Sequence, residues 1–399
     1  MNRNIMKTAD QTIARTYLRQ PVALERGEGM RVWDADGREY LDFIAGIAVC
    51  ALGHAHPRIA DAVDRQARRL VHVSNLYYTA PQAGLAAELT RRSFADRVFF
   101  CNSGAEANEA AIKLARRYFH EQGNAKRRTV ITALGSFHGR TMATLSATGQ
   151  DKIKTGFDPL LPGFVHVPYN NLEAVRAAAD ETAAAVLLEP IQGEGGVVTP
   201  APGYLEGVRR FCDEMGILLI FDEIQTGMGR TGLLFAHEKF GVTPDVMTLA
   251  KALANGFPIG AMLATEQVAA AFTAGSHATT FGGAPVIAAA ALETLRLLTD
   301  GGVVEHGRLA GEHLFRRLNE LKAAHPVVRE IRGAGLLAGI VLPGDAAPLV
   351  DVCREKGFLV NAVQGNILRL APPLIVENRE IDALMDCLNE VLPQMEEAS

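Results

Sequence analysis

Short apolar runs alternate with segments of helical periodicity through the middle of the chain. The predicted strands lie at residues 98–101, 129–133, 185–188, 218–221, 246–249 and 260–264, with helices between them that include residues 106–119 and 204–214. Strands buried on both faces have continuous apolar sequences, and strands that alternate with helices form parallel sheets. The pattern therefore predicts an α/β fold with a mainly parallel central sheet covered by helices.

The two ends of the chain predict a smaller α/β unit. A polar segment at residues 3–19 predicts a helix, and β-prone arms around residues 34–37 predict a hairpin. After a long apolar helix at residues 286–298, residues 300–302 predict a hinge, and short strands and helices follow it. We expect the N-terminal hairpin to pack with this C-terminal part.

The length of the chain indicates more than one domain. At 399 residues it exceeds the size at which a single hydrophobic core stops growing. We predict a large domain over residues 55–298, and a small domain formed by residues 1–54 and 299–399.

The composition limits the classes of protein to consider. Hydrophobic residues make up 48% and charged residues 21%, which is typical of a globular protein. No apolar run approaches the roughly 20 residues of a membrane span, and the N-terminal segment lacks an apolar signal core. A net charge of −5 gives no reason to expect nucleic acid or an anionic membrane as a partner. The five cysteines form no CxxC pair, which fits reduced thiols, and we expect a cytoplasmic protein.

Lys251 is the first candidate for chemistry. An apolar run at residues 246–250 brings this lysine to a turn-rich segment at residues 255–258. Burial lowers the pKa of a lysine and makes its amine a nucleophile that can form a Schiff base with an aldehyde, although a solvated lysine at a strand end is the simpler alternative. Asp222 ends another apolar run, and a carboxylate there suits the ring nitrogen of pyridoxal phosphate. The two residues together predict this cofactor.

Two loops are candidates for binding its phosphate. Ser103, Gly104 and Ala105 lie between a predicted strand and a predicted helix, whose first turn leaves backbone N–H groups free for an anion. A plain helix cap is the alternative. Thr279 and Thr280 precede two glycines and form a second such loop.

Further candidates follow other predicted strands. Phe137 can stack on a flat ring, and Arg140 offers a planar fork for a carboxylate. Glu194 lies in a glycine-rich turn, and Arg369 lies on a β-like run that ends at two prolines. A surface charge on an edge strand is the alternative for Arg369.

Several other chemistries lack their sequence signals. His54 and His56 are separated by a single residue, and the sequence offers no nearby cysteine or carboxylate as a further ligand. This spacing is a poor ligand geometry, so we predict no metal site. The sequence contains no GxSxG, no GxxxxGK[ST] and no GxGxxG after a strand, which removes the main rival α/β enzyme classes.

Taken together, these stretches closely resemble the class-III aminotransferases, which are pyridoxal-phosphate enzymes of fold type I. The matching motifs, in order, are GHAHP, NSGAEANE, FHGRT, EPIQGEGG, FDEIQTGMGRTG, LAKALANGFPIGA, TTFGG and RLAPPL. They span roughly residues 40–374, so the resemblance covers most of the chain. It implies that the large domain binds the cofactor.

The resemblance implies specific roles for the candidates. Lys251 forms the Schiff base and moves the substrate proton, and Asp222 keeps the ring nitrogen protonated. The implied cofactor-binding residues are Ser103, Gly104, Ala105, Phe137, Asp222, Glu223, Ile224, Gln225, Lys251 and Thr280. The implied substrate-binding residues are Arg140, Glu194, Thr279 and Arg369. In the family the threonine that matches Thr280 reaches across from the neighbouring subunit, which implies a homodimer with shared active sites.

The resemblance also implies how one site accepts two substrates. An arginine matching Arg369 holds the α-carboxylate of glutamate, and a glutamate matching Glu194 neutralises that arginine when the other substrate is bound. A switchable partner is useful because an uncompensated buried charge costs several kcal/mol.

The implied reaction transfers the terminal amine of N2-acetyl-L-ornithine to 2-oxoglutarate. Ile47 stands where the family's ornithine enzyme has a tyrosine, which disfavours free ornithine. N-succinylornithine, N-succinyl-diaminopimelate, ornithine and GABA stay open as alternative donors. Ser74, Asn75 and Tyr77 are candidates for holding the acyl group. A racemase or aminomutase on the same scaffold, and a relative without catalysis, are the alternatives from other classes.

Overall fold

The computed structural model describes residues 1–396. The strands are β1 Leu24–Glu28, β2 Arg31–Asp34, β3 Glu39–Asp42, β4 Arg97–Cys101, β5 Thr129–Ala133, β6 Phe164–Val167, β7 Ala183–Leu188, β8 Leu218–Asp222, β9 Val246–Leu249, β10 Gly260–Ala264, β11 Glu330–Ala334, β12 Leu337–Val341, β13 Phe358–Leu359, β14 Asn361–Val363 and β15 Ile367–Leu370.

Helices cover and connect these strands. They are α1 Asn2–Thr12, α2 Ala45–Ala48, α3 Pro57–Ala67, α4 Ala80–Arg92, α5 Gly104–Glu121, α6 Met142–Ala147, α7 Leu172–Ala178, α8 Tyr204–Met215, α9 Ala236–Phe240, α10 Glu266–Ala269, α11 Pro285–Thr299, α12 Val303–Ala324, α13 Ala347–Glu355 and α14 Asn378–Glu396, with 3₁₀ turns at Ser74–Leu76, Asp151–Ile153 and Lys251–Ala254. Among the residues described, no helix combines the length and apolar character needed to cross a lipid bilayer.

The central sheet has the order β4-β10-β9-β8-β7-β5-β6 within the described part of the chain. Every neighbouring pair is parallel except the two that involve β10, which runs antiparallel to β4 and β9. All residues of β7 and β8 are buried, because helices lie on both faces of the sheet. The prediction of a mainly parallel, covered sheet is confirmed.

The edge strand β6 was not predicted. Its sequence, FVHV, is short and contains one polar residue, and Val165 within it is exposed. An edge strand has only one neighbour and does not need the continuous apolar run that marks the buried strands. Periodicity therefore gives a weak signal at this position.

The N-terminal hairpin and the C-terminal part form one sheet. Its order is β1-β2-β3-β13, and β3 pairs in parallel with β13 through Leu41 opposite Phe358 and Asp42 opposite Leu359. The predicted packing of the hairpin with the C-terminal part is confirmed. A further sheet of β11, β12, β15 and β14 carries Arg369. The proposed domain bounds stay a prediction, and residues 397–399 at the end of the small domain lie outside the described residues.

Two connecting segments differ from the expectation. The predicted helix at residues 3–19 ends at Thr12, and none of the residues of α1 is buried, so no packing extends it. The predicted hinge at residues 300–302 is the tight turn between α11 and α12. Gly302 caps α12 there with φ of +75°, a left-handed conformation that glycine adopts without strain.

Candidate active site

A cavity of about 450 Å³ opens at the carboxyl ends of the parallel strands. Ligands bind at this edge of open α/β sheets, because loops from neighbouring strands converge there. Its lining residues are Val49, Asn102, Ser103, Gly104, Ala105, Phe137, His138, Gly139, Arg140, Glu189, Glu194, Asp222, Ile224, Gln225, Ala250, Lys251, Gly256, Phe257, Pro258 and Ile259. Most of the predicted site residues are therefore brought together in one place.

Lys251 follows β9 and begins a 3₁₀ turn with φ of +43°. Asn255 closes this turn in a left-handed conformation, and its side chain fixes it to the neighbouring loop. The Asn255 Oδ1 accepts from the Leu52 backbone over 2.7 Å, and its Nδ2 donates to the Gly53 carbonyl over 3.1 Å. Burial lowers the pKa of Lys251, which makes its amine more available as a nucleophile, whereas the carboxylates of Glu194 and Asp222 oppose this shift.

Asp222 ends β8 and is only 3% exposed. Its Oδ2 accepts from Asn108 Nδ2 over 2.7 Å and from His138 Nδ1 over 2.8 Å. Its Oδ1 accepts from the Ile224 backbone over 3.1 Å. These donors stabilise a buried carboxylate in a fixed orientation at the cavity.

Asn108 and His138 were not assigned a role from the sequence. Asn108 lies on the buried face of α5, where Ala107 and Ala111 are also fully buried. A polar residue on an apolar helix face was the signal that could have identified it, because buried amides require hydrogen-bond partners.

The amino end of α5 forms the candidate phosphate site. Ser103 caps the helix, and its side chain accepts from the Glu106 backbone over 3.2 Å. Ser103, Gly104 and Ala105 line the cavity, where the free N–H groups and dipole of an 18-residue helix favour an anion. A Cβ on Gly104 would lie 2.8 Å from the Ile224 side chain, so a larger residue would crowd this turn.

Phe137 presents an aromatic ring to the cavity beside Arg140. The Arg140 guanidinium lies 5.7 Å from the centre of the Phe137 ring, and its side chain is exposed. The Phe137 backbone donates to Glu189 Oε2 over 3.0 Å. Burial, together with the charge of Asp222, raises the pKa of Glu189 well above its usual range.

Glu194 and Arg369 form an ion pair at the cavity. Arg369 Nη1 donates to Glu194 Oε1 over 2.5 Å, and Gln225 Nε2 donates to the same oxygen over 3.2 Å. Burial opposes the charged form of Glu194, but the Arg369 guanidinium lowers its pKa overall. Arg369 is buried and does not line the cavity itself. It contacts the cavity through Glu194, which does.

Some predicted residues lie outside the cavity. Both Glu223 carboxylate oxygens accept from the backbone at the start of α9, from Ala236 over 2.5 Å and from His237 over 2.7 Å. Burial raises the pKa of Glu223 to about 8. Thr279 Oγ1 accepts from Asn102 Nδ2 over 2.9 Å, behind the cavity wall, and Thr280 is exposed on the surface.

The residues considered for acyl binding also lie elsewhere in this subunit. Asn75 donates to the carbonyls of Thr279 and Gly282, and Tyr77 is 69% exposed. Ser74 adopts a positive φ angle outside the cavity lining, and so does Ile47, the residue at the position of the ornithine enzyme's tyrosine. Within residues 1–396, no group of three or more His, Cys, Asp or Glu side chains is arranged to hold a metal ion.

The geometry suits a small, flat, phosphorylated aldehyde. The cavity combines an amine of lowered pKa, a buried carboxylate, an aromatic wall and a helix terminus that attracts anions. Each of these groups matches one part of pyridoxal phosphate: the aldehyde, the ring nitrogen, the ring face and the phosphate. The residues present therefore fit this group.

Solved structures share this architecture over the whole chain. A structure of ornithine aminotransferase from Toxoplasma gondii, which has partial occupancy of PLP at its active site, superposes with a TM-score of 0.96 and 33% identity over 100% of this chain and 95% of that one. N-acetylornithine aminotransferase from Stenotrophomonas maltophilia K279a gives a TM-score of 0.85 and 40% identity over 99% and 100%. The predicted fold type I architecture is confirmed.

Sequence comparison gives the family. Acetylornithine aminotransferase from Caldanaerobacter subterraneus subsp. tengcongensis is 50% identical over 381 residues, which are 95% of this chain and 97% of that protein. The sequence pattern described as aminotransferase class-III matches residues 12–392. This chain belongs to the class-III aminotransferase family.

Proposed function

We propose that this enzyme transfers the terminal amino group of N2-acetyl-L-ornithine to 2-oxoglutarate, giving N-acetyl-L-glutamate 5-semialdehyde and L-glutamate, a reaction of arginine biosynthesis. The observation that carries this proposal is the Glu194–Arg369 ion pair in the cavity that holds Lys251. Several relatives that are 47–51% identical over at least 95% of this chain are named acetylornithine aminotransferase, which supports the choice of donor.

Pyridoxal phosphate is the cofactor, as the family requires. When bound, it supplies an aldehyde for the amine and a ring that accepts the electrons released at the substrate carbon. We assign its phosphate to Ser103, Gly104 and Ala105, its ring face to Phe137, and its ring nitrogen to Asp222. Ile224 and Gln225, which follow Asp222 and line the cavity, complete this side of the site.

The lysine and the aspartate have separate tasks. A lowered pKa leaves more of the Lys251 amine uncharged, so that its Nζ is available as a nucleophile and as a base for the proton on the substrate carbon. The Asp222 carboxylate, fixed by three donors, favours a proton on the ring nitrogen opposite to it.

The ion pair explains how one cavity serves two substrates. With Glu194 in place, Arg369 is neutralised, and the site accepts an ω-amine whose chain carries no charge at that position. With Glu194 displaced, the Arg369 guanidinium is available for the α-carboxylate of glutamate. Arg140, exposed at the cavity, is the proposed partner for the other carboxylate. Thr279 does not line the cavity of its own subunit, so its proposed role as a secondary contact requires its loop to reach the site of the neighbouring subunit.

We further propose a cytoplasmic homodimer with shared active sites. Thr280 and Phe281 are exposed in the loop that the family places at the neighbouring subunit, and Phe281 is 61% exposed. Exposed aromatic and aliphatic side chains at residues 76–78, in the connection between α3 and α4, add further apolar surface. Such surface is typical of a protein contact. In this arrangement Thr280 binds the phosphate held in the partner.

A half-reaction titration tests the proposed donor. The cofactor-loaded protein is mixed separately with N-acetylornithine, N-succinylornithine, N-succinyl-diaminopimelate, ornithine, GABA and glutamate, without an acceptor, while its visible absorbance is followed. Fast loss of the visible band with N-acetylornithine and with glutamate supports the proposal. Fast loss with GABA, while N-acetylornithine is inert, contradicts it and identifies a different ω-aminotransferase. Turnover without any keto acid would instead identify a racemase or aminomutase.

A further inference from the structure

A buried chain of hydrogen bonds leads from the sheet to Asp222. Thr248 Oγ1, on β9, donates to Asn108 Oδ1 over 2.7 Å. Asn108 Nδ2 donates to Asp222 Oδ2 over 2.7 Å and to the His138 carbonyl over 2.8 Å. Thr248 and Asn108 are both fully buried, and neither lines the cavity. The side-chain amide of Asn108 therefore has both its oxygen and its N–H groups engaged.

The two carboxylate oxygens of Asp222 accept different numbers of hydrogen bonds. Oδ2 accepts from Asn108 and from His138, which fills its two lone-pair directions. Among the residues that the structure describes, only the Ile224 backbone donates to Oδ1. Oδ1 is consequently the oxygen that can accept a further hydrogen bond from a ligand in the cavity.

Thr248 keeps Asn108 in the orientation that produces this difference. Without the threonine hydroxyl, Asn108 Oδ1 would be a buried acceptor without a donor, which costs free energy. Rotation of the amide could relieve that cost only by withdrawing the N–H groups from Asp222 or by turning an oxygen toward its carboxylate. The hydroxyl also polarises the amide, because hydrogen bonds in a chain strengthen one another.

We propose that Asn108, held by Thr248, is a positioning residue that reserves Asp222 Oδ1 for the ring nitrogen of the cofactor. Neither residue touches the ligand, and both act through Asp222. This inference rests on the proposed function, because it assumes that Asp222 faces the ring nitrogen of pyridoxal phosphate.

Two buried threonines of the central sheet provide a matched test. Thr248 on β9 and Thr132 on β5 are both fully buried, but the Thr132 hydroxyl has no hydrogen-bond partner among the described residues. Thr248→Val removes the hydroxyl that donates to Asn108, whereas Thr132→Val removes a hydroxyl that makes no hydrogen bond within the described residues. Thr248→Ser keeps the hydroxyl and serves as the rescue variant.

The measurements separate positioning from general damage. The dissociation constant for pyridoxal phosphate is measured by titrating the apo-protein. For the glutamate half-reaction, a single turnover, kcat denotes the limiting rate constant and KM the glutamate concentration that gives half of it. We expect Thr248→Val to weaken cofactor binding and to lower kcat, each by about tenfold, since leaving the buried Asn108 oxygen without a donor has an effect of this order. The KM of Thr248→Val for glutamate should stay within about twofold of the wild-type value. For Thr248→Ser and Thr132→Val, the cofactor dissociation constant, kcat and KM should all stay within the same range.

Other results overturn the proposal. If Thr248→Val behaves like Thr132→Val, or if Thr248→Ser fails to restore the wild-type values, the hydroxyl does not position Asp222. Asn108→Ala is a secondary variant, because it also strips partners from Thr248 and His138 and can impair folding. If the wild-type protein does not react with glutamate at all, the proposed function fails, while the cofactor dissociation constants still decide the role of Thr248.

Discussion

Arg369 Nη1 lies 2.5 Å from Glu194 Oε1, so the cation behind the cavity is already neutralised before a substrate arrives. The two side chains are unequally buried, at 2% exposure for Arg369 and 29% for Glu194. Moving the arginine would leave a charge in the interior, whereas the carboxylate can turn toward water. Glu194 is therefore the partner that must move when a substrate carboxylate binds.

Replacing Glu194 by glutamine should change the preference between the two amines. The guanidinium of Arg369 would then be free of a competing negative charge, so kcat/KM for glutamate should rise relative to that for N-acetylornithine by about tenfold. The two half-reactions are measured with the same protein. Glu181→Gln, at an exposed position ahead of β7, is the control and should leave the ratio unchanged. An unchanged ratio in Glu194→Gln would show that Glu194 does not switch the site between the two substrates.

Lys251 should be the single attachment point of the cofactor. Borohydride reduction of the loaded protein, followed by digestion and mass spectrometry, should place the added mass on the peptide containing Lys251. Lys251→Gln should bind the cofactor without this attachment and lose at least about a thousandfold in turnover, because both the nucleophile and the base are removed. Attachment at any other lysine of the chain would show that the assignment is wrong.

His54 should make the stability of the fold depend on pH. The hydrogen bond to Asp42 Oδ2, 2.8 Å away, followed by a hydrogen bond to Cys50, raises the pKa of His54 to about 10 from an ordinary value of 6.5. A raised histidine pKa stabilises the fold fully below pH 6.5, and this contribution is lost as the pH rises through about 10. One unit of pKa corresponds to about 1.4 kcal/mol, and screening by solvent at the partly exposed ring reduces the contribution to about 2 kcal/mol.

The measurement compares wild type with His54→Gln. The difference between their free energies of unfolding, from urea denaturation, should be largest at pH 6 and should shrink toward pH 10. Taking the difference cancels the titration of groups that both proteins share. A difference that is constant over this range would contradict the role of the His54–Asp42 pair.

Mixed dimers should reveal whether the active sites are shared. Lys251→Ala removes the amine from one subunit, and Thr280→Asp places a negative charge at the phosphate of the other site. Each variant alone should be nearly inactive, whereas refolding an equal mixture should restore about a quarter of the wild-type activity, because half of the dimers carry one intact site. Thr273→Asp, at an exposed position of the same loop, should remain active. Absence of any recovery would place Thr280 in its own subunit's site.

The main elements of the fold could be predicted because their residues are buried on both faces. The strands at Thr129–Ala133, Val246–Leu249 and Gly260–Ala264 have the bounds that the apolar runs indicate. The strand at Phe164–Val167 could not be found in this way, since it lies at an edge with an exposed valine. The direction of β10, antiparallel within a parallel sheet, also leaves no mark on its sequence.

The candidate site was predictable where a residue type is unusual in its local sequence. Lys251 and Asp222 each follow an apolar run, and a charge at that point is informative in any fold. Glu223 has the same local setting as Asp222, but its carboxylate faces the start of α9 instead of the cavity. Consecutive residues near the end of a strand point in opposite directions, so sequence proximity could not distinguish them.

The sequence by itself determined the covered parallel sheet, the lysine and aspartate at its edge, and the family that its motifs indicate. The sheet follows from the local pattern of buried residues. The lysine and the aspartate stand out because a charged residue beside a buried strand costs free energy unless it has a role. The tertiary structure gave the distance and burial of the Glu194–Arg369 pair, 175 residues apart, which the family resemblance had implied. It alone decided that Thr248 and Asn108 hold Asp222. Such relationships join segments distant in the chain, and their energies depend on distances and burial that only the folded packing sets.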